Sequence, residues 1–370
     1  MTRTTIIALF ILSVAVGLEL LAGSPEPGTT DLGSDWSPRL YACGKVAGPI
    51  VLDGKLDDAA WDGLPWTSEF VDIERSNDTA PRYRTRAKLA WDDQYLYICA
   101  EMEEPDLWAT FTTRDSIIYH EHDFEVFIDP DHDTHQYAEL EINALNTVWD
   151  LMLVRPYRDG GPAVHGWDIA GLKTAVHLRG SLNDHRDRDI GWSVEIAIPF
   201  EALGELTKKP CPPAPGDRWK INFSRVQWQL DESADGYTKV LDEVTGESLA
   251  EDNWVWSPQR AIAMHEPEYW GIVEFRERGD TERVIEVLDV DRARFIMCRH
   301  AVAMRSSENH AGESPDRPAA LPSAWSWPPV TQSGPGWFHT EIHDESGRRI
   351  TVDQSGAARV IAPHAGLRPR

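Results

Sequence analysis

Seven segments of this chain run mostly with a period of two between apolar and polar residues: Arg86–Trp91, Tyr95–Glu101, Phe124–Asp129, Ala138–Asn143, Trp149–Val154, Trp192–Ile198 and Lys220–Gln227. That period belongs to extended backbone, where successive side chains point to opposite faces. Short connections rich in Asp, Gly and Pro separate the runs and supply turns. Strand-dense sequence of this kind predicts an all-β fold, an antiparallel β-sandwich of immunoglobulin or jelly-roll type over residues 41–277. Helices should be few: one turn at Asp57–Trp61 and another at Phe200–Leu206, opened by Pro199. Past Phe275 the alternation stops. Glu282–Met304 is rich in helix formers and predicts one helix. Ser306–Gly336 is a polar, Pro-rich connection, followed by three short strands at Trp337–His343, Arg348–Val352 and Ala357–Ile361. Residues 282–362 therefore form a small α+β extension.

The N-terminus has a different character. Arg3 precedes an apolar run from Ile6 to Val16, and small residues surround Ala22-Gly23-Ser24. This is the pattern of a secretory signal over residues 1–23, and the run is short for a membrane span. Residues 24–40 follow as a Pro-, Gly- and Ser-containing linker. The expected location is outside the cytoplasm: secreted, periplasmic or at the cell surface. A formal net charge of −25 argues against nucleic acid as a partner, because that binding relies on Lys and Arg releasing counterions. Export permits disulfides among Cys43, Cys99, Cys211 and Cys298, but Cys99 sits in an apolar run where a buried free thiol is as well suited.

Six short blocks recur in order between Cys43 and Phe275. They are Asp53-Gly54 with Trp61, Leu89–Tyr97, Asp123–Asp131, Glu141-Ile142-Asn143, Gly191–Pro199 and Pro267–Phe275. In order and spacing they resemble the family 9 carbohydrate-binding modules and their wider β-sandwich group. The resemblance implies a saccharide or polysaccharide partner and non-catalytic binding, with a place in polysaccharide catabolism. It also implies a clamp: an aromatic ahead of the acidic strand, an acid within it, and an Asn on the next strand. Those roles fall on Tyr119, Glu125 and Asn143. A second aromatic is expected where Met264 stands, and a basic residue where Glu141 stands, so Arg225 is taken as the replacement cation.

The composition adds further candidates. Sixteen Trp residues suit packing against sugar C–H faces, although Trp61, Trp91, Trp192, Trp219 and Trp270 read as core. Trp108, Trp149, Trp167 and Trp228 lie near strand ends, and Trp108 and Trp228 are placed at the margin of the binding site. Asp129, Asp131 and Asp133 set hard oxygen ligands at alternate positions, a candidate calcium loop that lacks the Gly and terminal Glu of an EF-hand. His120, His122, His132 and His135 are a further metal candidate. No Gly-x-Ser-x-Gly, His-Glu-x-x-His or phosphate-loop motif occurs. Two alternatives stay open. One is a glycoside hydrolase using paired carboxylates such as Asp123 and Glu141. The other is a b-type haem carrier with ligands from Met102, Met152, Met264 and His265.

Overall fold

Strands form where the alternation places them. The computed structural model describes residues 36–75, 80–233, 236–281, 283–306, 316–334 and 336–363. The signal segment 1–23 and linker residues 24–35 lie outside that set. In chain order the strands are β1 (Leu40–Lys45), β2 (Val71–Asp72), β3 (Thr85–Trp91), β4 (Tyr95–Glu103), β5 (Asp123–Asp129), β6 (Tyr137–Asn143) and β7 (Val148–Leu153). Then come β8 (Ala163–Val164), β9 (Lys173–Arg179), β10 (Gly191–Pro199), β11 (Arg218–Gln227), β12 (Leu230–Ser233), β13 (Gly236–Lys239), β14 (Asp252–Val255) and β15 (Gly271–Arg276). Each predicted strand is present within two residues of its expected bounds. Phe200–Leu206 is helical as expected, as α1 (Phe200–Leu203) and a 3-10 turn. Asp57–Trp61 is a turn rather than a helix, closed by Trp61 N–H donating to the Asp58 carbonyl.

One sheet runs β8-β7-β6-β5-β11-β15-β1-β3-β4-β10-β9, with β14 and β2 attached beside β11. It curls so that its two halves face each other. Phe124, Val126, Ile128, Leu140, Ile142, Trp219, Ile221 and Phe223 from one half meet Leu89, Ile98, Ala100, Trp192, Val194 and Ile196 from the other in one buried cluster. Burial of these side chains is the main driving force for closure. Pairing is antiparallel except at β1, which runs parallel to both β15 and β3 and joins the halves. The five Trp residues read as core are all buried. Cys43, Cys99, Cys211 and Cys298 are free thiols.

Alternation also explains why β5 is buried along its whole length. Its even-numbered residues enter the main core, while Phe127 joins Tyr137, Leu151, Leu153 and Trp270 in a second cluster on the other face. Loops cover that second face, and a cleft opens among them.

The C-terminal extension is present. Helix α2 spans Asp289–Ser306 and starts later than expected, where the Asp291 carboxylate accepts the Leu288 N–H at 3.1 Å. The predicted strands appear as β17 (Trp337–His343), β18 (Arg349–Asp353) and β19 (Ala358–Ile361). An extra strand, β16 (Val330–Gly334), lies inside the segment read as a connection. Phe295, Ile296, Ile342, Ile350 and Val352 form the extension's own core, which takes in Ile272 of β15. Trp36 belongs to this core too: it is buried and stacks on Phe295 at 4.7 Å. The last residues before β1 are thus packed structure rather than linker.

Candidate carbohydrate-binding site

Cross-strand register assembles the floor of the cleft. On the face of β5, β6 and β11 turned away from the core, Ser224 stands opposite Glu125, and Glu125 opposite Glu141. Beside that row Val226 N–H donates to the Asp123 carboxylate, and Trp149 of β7 pairs with Glu141. The cleft holds about 650 Å³ and is lined by Glu125, Glu139 and Glu141 together with Tyr119, Trp149, Tyr157, His165, Met264 and His265. Its aromatic wall is continuous. Tyr119 stacks on Trp149 at 6.2 Å and 29°, and Trp149 on His165 at 5.8 Å and 10°. Tyr119 is 38 % exposed, and its ring also meets His120 edge-on at 4.7 Å.

Burial dominates the electrostatics of the floor. It pushes the Glu125 carboxyl up to about 7. Burial and the neighbouring acids raise Asp123, Glu139 and Glu141 well above the usual carboxylate range. Burial, with Arg158 nearby, lowers His265 to about 3, so its ring is neutral at ordinary pH. The Tyr137 hydroxyl contacts His265 Nδ1 at 2.9 Å. No Lys or Arg lines the cleft among the described residues.

Residues 52–277 match the family model described as carbohydrate family 9 binding domain-like. The chain belongs to that family. Its similarity to curated proteins is partial. It is 29 % identical over 159 residues to endo-1,4-beta-xylanase A of Thermoanaerobacterium saccharolyticum, covering 43 % of this chain and 11 % of the xylanase. The corresponding values for the exoglucanase XynX of Acetivibrio thermocellus are 27 %, 43 % and 12 %. The chain thus spans about a tenth of the length of the curated relatives it matches. Among solved structures, a family 9 module from Caldicellulosiruptor kristjanssonii in complex with cellotriose is 19 % identical, with TM-score 0.41, covering 68 % of this chain and all of the module. A carbohydrate-binding protein from Bacteroides uniformis, described as putative, is 16 % identical, with TM-score 0.48, covering 65 % of this chain and all of the other.

Against the family clamp, the cleft brings together only some of the expected residues. Tyr119 and Glu125 line it. Asn143 does not: its Nδ2 donates to Phe111 O and Glu121 Oε1, and its Oδ1 accepts from Leu145 and Thr147 N–H, which fixes the β6–β7 turn. Arg225 is on the wrong face of β11. Trp219, Ile221 and Phe223 point into the core, so Arg225, two residues further on, follows them inward. There it is 1 % exposed and donates to Glu104, Thr85 and Gln227. Trp108 packs edge-on against His122. Trp228 supports the site from behind, its Nε1 donating to the Tyr119 carbonyl at 3.0 Å, while Lys239 lies over its ring.

Trp149, one of the four Trp residues read near strand ends as binding candidates, lines the cleft: on β7 it faces the same way as Leu151 and stands opposite Glu141. Met264 does line the cleft where a second aromatic was expected. An exposed aromatic is nonetheless present: Tyr157, from the turn after β7, packs against His265 at 4.5 Å. No local sequence pattern pointed to it.

The remaining metal and haem candidates separate in space. Asp129, Asp131 and Asp133 converge, with carboxylate atoms within 4.8 Å of one another. Asp129 accepts N–H groups from Asp131, His132 and Thr134. Burial, with Asp131 and Asp133 adding to it, pushes Asp129 up to about 8. Asp131 Oδ1 is a buried oxygen with no hydrogen-bond partner. The four histidines form no cluster. His122 is buried against Glu104 at 3.1 Å, while Thr134, between His132 and His135, bonds the extension at Gly356. Met102 is in the main core, with Met152 packed against it, away from the cleft where Met264 and His265 lie.

Proposed function

We propose that this chain is an exported, non-catalytic saccharide-binding protein whose ligand lies in the cleft between the Tyr119–Trp149–His165 wall and the carboxylate floor, serving polysaccharide breakdown. The observation that carries this reading is a stacked aromatic wall beside a row of hydrogen-bonding acids, in a member of a carbohydrate-binding family. Flat sugar faces pack on aromatic rings, and hydroxyls need acceptors at the rim. Protonated carboxyls donate as well as accept, so the floor can satisfy hydroxyls of either sense. Hydrolysis fits less well. Asp123 and Glu141 sit side by side on one sheet face, whereas a glycosidase needs carboxyls on two sides of the bond.

The Asp129–Asp131–Asp133 loop is proposed as a calcium site. Its convergent oxygens and the orphaned Asp131 Oδ1 suit a hard cation. A chelator should lower the melting temperature of the protein, and Asp131→Asn should weaken that response. For the saccharide reading, calorimetric titration with gluco- and xylo-oligosaccharides is the test. Saturable binding lost in Tyr119→Ala is expected, and flat titrations across the panel would overturn it.

A further inference from the structure

The row Ser224–Glu125–Glu141 has a feature that sugar recognition does not require. Like charges directly opposite on neighbouring strands are destabilising, yet β5 and β6 place Glu125 against Glu141, with Asp123 one pleat away. The three carboxylates each offer an oxygen, and those atoms all lie within 4.8 Å of one another. Around them are two buried carboxylate oxygens with no hydrogen-bond partner, Asp123 Oδ2 and Glu125 Oε2, with the Ser224 hydroxyl beside Glu125. Asp123 and Ser224 are fully buried and Glu125 is 4 % exposed. Two further oxygens are engaged, Asp123 Oδ1 by Val226 N–H at 3.0 Å and Glu141 Oε2 by Tyr119 N–H at 2.9 Å.

The two other acidic clusters differ in how the protein answers their charge. Asp150 of the Asp115–Asp150–Asp168 group is paired with Arg114. Asp129 is held by three backbone N–H groups, with Arg294 on the same loop's His132 carbonyl. The floor of the cleft has one backbone N–H on Asp123 and one on Glu141, and no Lys or Arg among the described residues lines the cleft.

We propose that Asp123, Glu125, Glu141 and Ser224 form a divalent-cation site at the floor of the cleft, with calcium the best-suited ion. Calcium takes six to eight oxygens at about 2.3–2.6 Å, so ligands on opposite sides of it lie up to about 5 Å apart. The three carboxylates offer oxygens close enough together to fall within that span. Glu125 and Glu141 line the cleft, so the ion has an entry path, and its open positions face the space a ligand would occupy. The site does not depend on a saccharide being bound, and its test contains none, so it stands or falls apart from the proposed function.

The test uses the full chain, stripped with chelator and titrated calorimetrically with calcium alone. Glu125→Gln combined with Glu141→Gln should weaken binding at the floor at least tenfold, whereas Asp131→Asn combined with Asp133→Asn should leave it unchanged. Removing two opposed charges should also let the double Gln variant melt no lower than the parent in chelator. If it fails to fold, terbium luminescence on the parent decides instead. Emission excited through tryptophan should saturate and should fall in Trp149→Phe, since Trp149 stands opposite Glu141. Unchanged calcium binding in the double Gln variant overturns the proposal, as does terbium emission insensitive to Trp149.

Discussion

Arg225→Met separates a scaffold cation from a binding one. Arg225 is 1 % exposed and lies 2.9 Å from the buried Glu104 carboxylate. It also donates to Thr85 Oγ1 and Gln227 Oε1, and its guanidinium sits 5.2 Å from the Trp254 ring centroid. Met keeps the aliphatic volume and removes every one of those donors. Removing one partner of a buried ion pair costs about 3–5 kcal/mol, because the other charge stays buried without its counterion. His122, 3.1 Å from Glu104, softens the loss and places the expectation near the lower end. Urea denaturation at pH 7 should therefore show a lower midpoint at unchanged slope, equivalent to about 3 kcal/mol. Adding Glu104→Gln should recover part of it, with a coupling of about 1–3 kcal/mol. The pH dependence gives an independent check. Burial alone would raise Glu104, but His122 and Arg225 hold it at about 2. Its contribution is present above the unfolded carboxylate value and is lost as pH falls from about 4.5 towards 2. In Arg225→Met that acid-dependent loss should shrink. A midpoint shift equivalent to less than 1 kcal/mol, or saccharide affinity lost in a variant as stable as the parent, would refute the reasoning and return Arg225 to the binding site.

Four further outcomes are expected. Tyr119→Ala removes a partly exposed stacking face worth about 1–2 kcal/mol, roughly five- to thirtyfold in Kd. Its melting temperature should stay within a few degrees, and a large drop would place the ring in the core. His265 is held near 3 by burial, so the unfolded chain binds more protons than the folded one between about pH 6.5 and 3. Stability should fall with pH across that window, and less so in His265→Gln. Trp36→Ala should cost about 3–5 kcal/mol as a buried aromatic truncation and make the extension more sensitive to limited proteolysis. Gly271→Ala would set a Cβ 2.2 Å from the Trp256 ring. Overpacking of that kind costs about 1–3 kcal/mol or more, readable as a lower urea midpoint.

The fold was legible because strand alternation is a local property. Runs such as Trp192–Ile198 and Lys220–Gln227 carry their own period, and the structure keeps them. Strand β16 was missed because its Val-Thr-Gln-Ser-Gly run is mostly exposed and shows no buried face. The parallel pairing of β1 could not be read, since a strand's direction relative to its neighbours is set by partners far away in sequence, Ala90 for Gly44 and Ile272 for Leu40. The site was half legible. Tyr119 and Glu125 followed from the family resemblance, but Arg225 failed on a fact already visible in the alternation of its own strand. Asn143 failed because its hydrogen bonds close a turn, which depends on where Phe111 and Glu121 come to lie. Tyr157 and His165 reach the cleft through loops, where no period exists to be read.

Strand β1 is six residues long, and both of its edges are occupied, by β15 over five residue pairs and by β3 over two. It is the seam of the whole sheet, yet it lies ahead of residue 52, where the family match begins. A shortened protein cut at that match would leave β15 and β3 as raw edges facing each other across a missing strand. Such edges invite pairing with other chains. The autonomous folding unit is therefore wider than the recognisable one, and any excised version must begin at or before Trp36 to keep that seam filled.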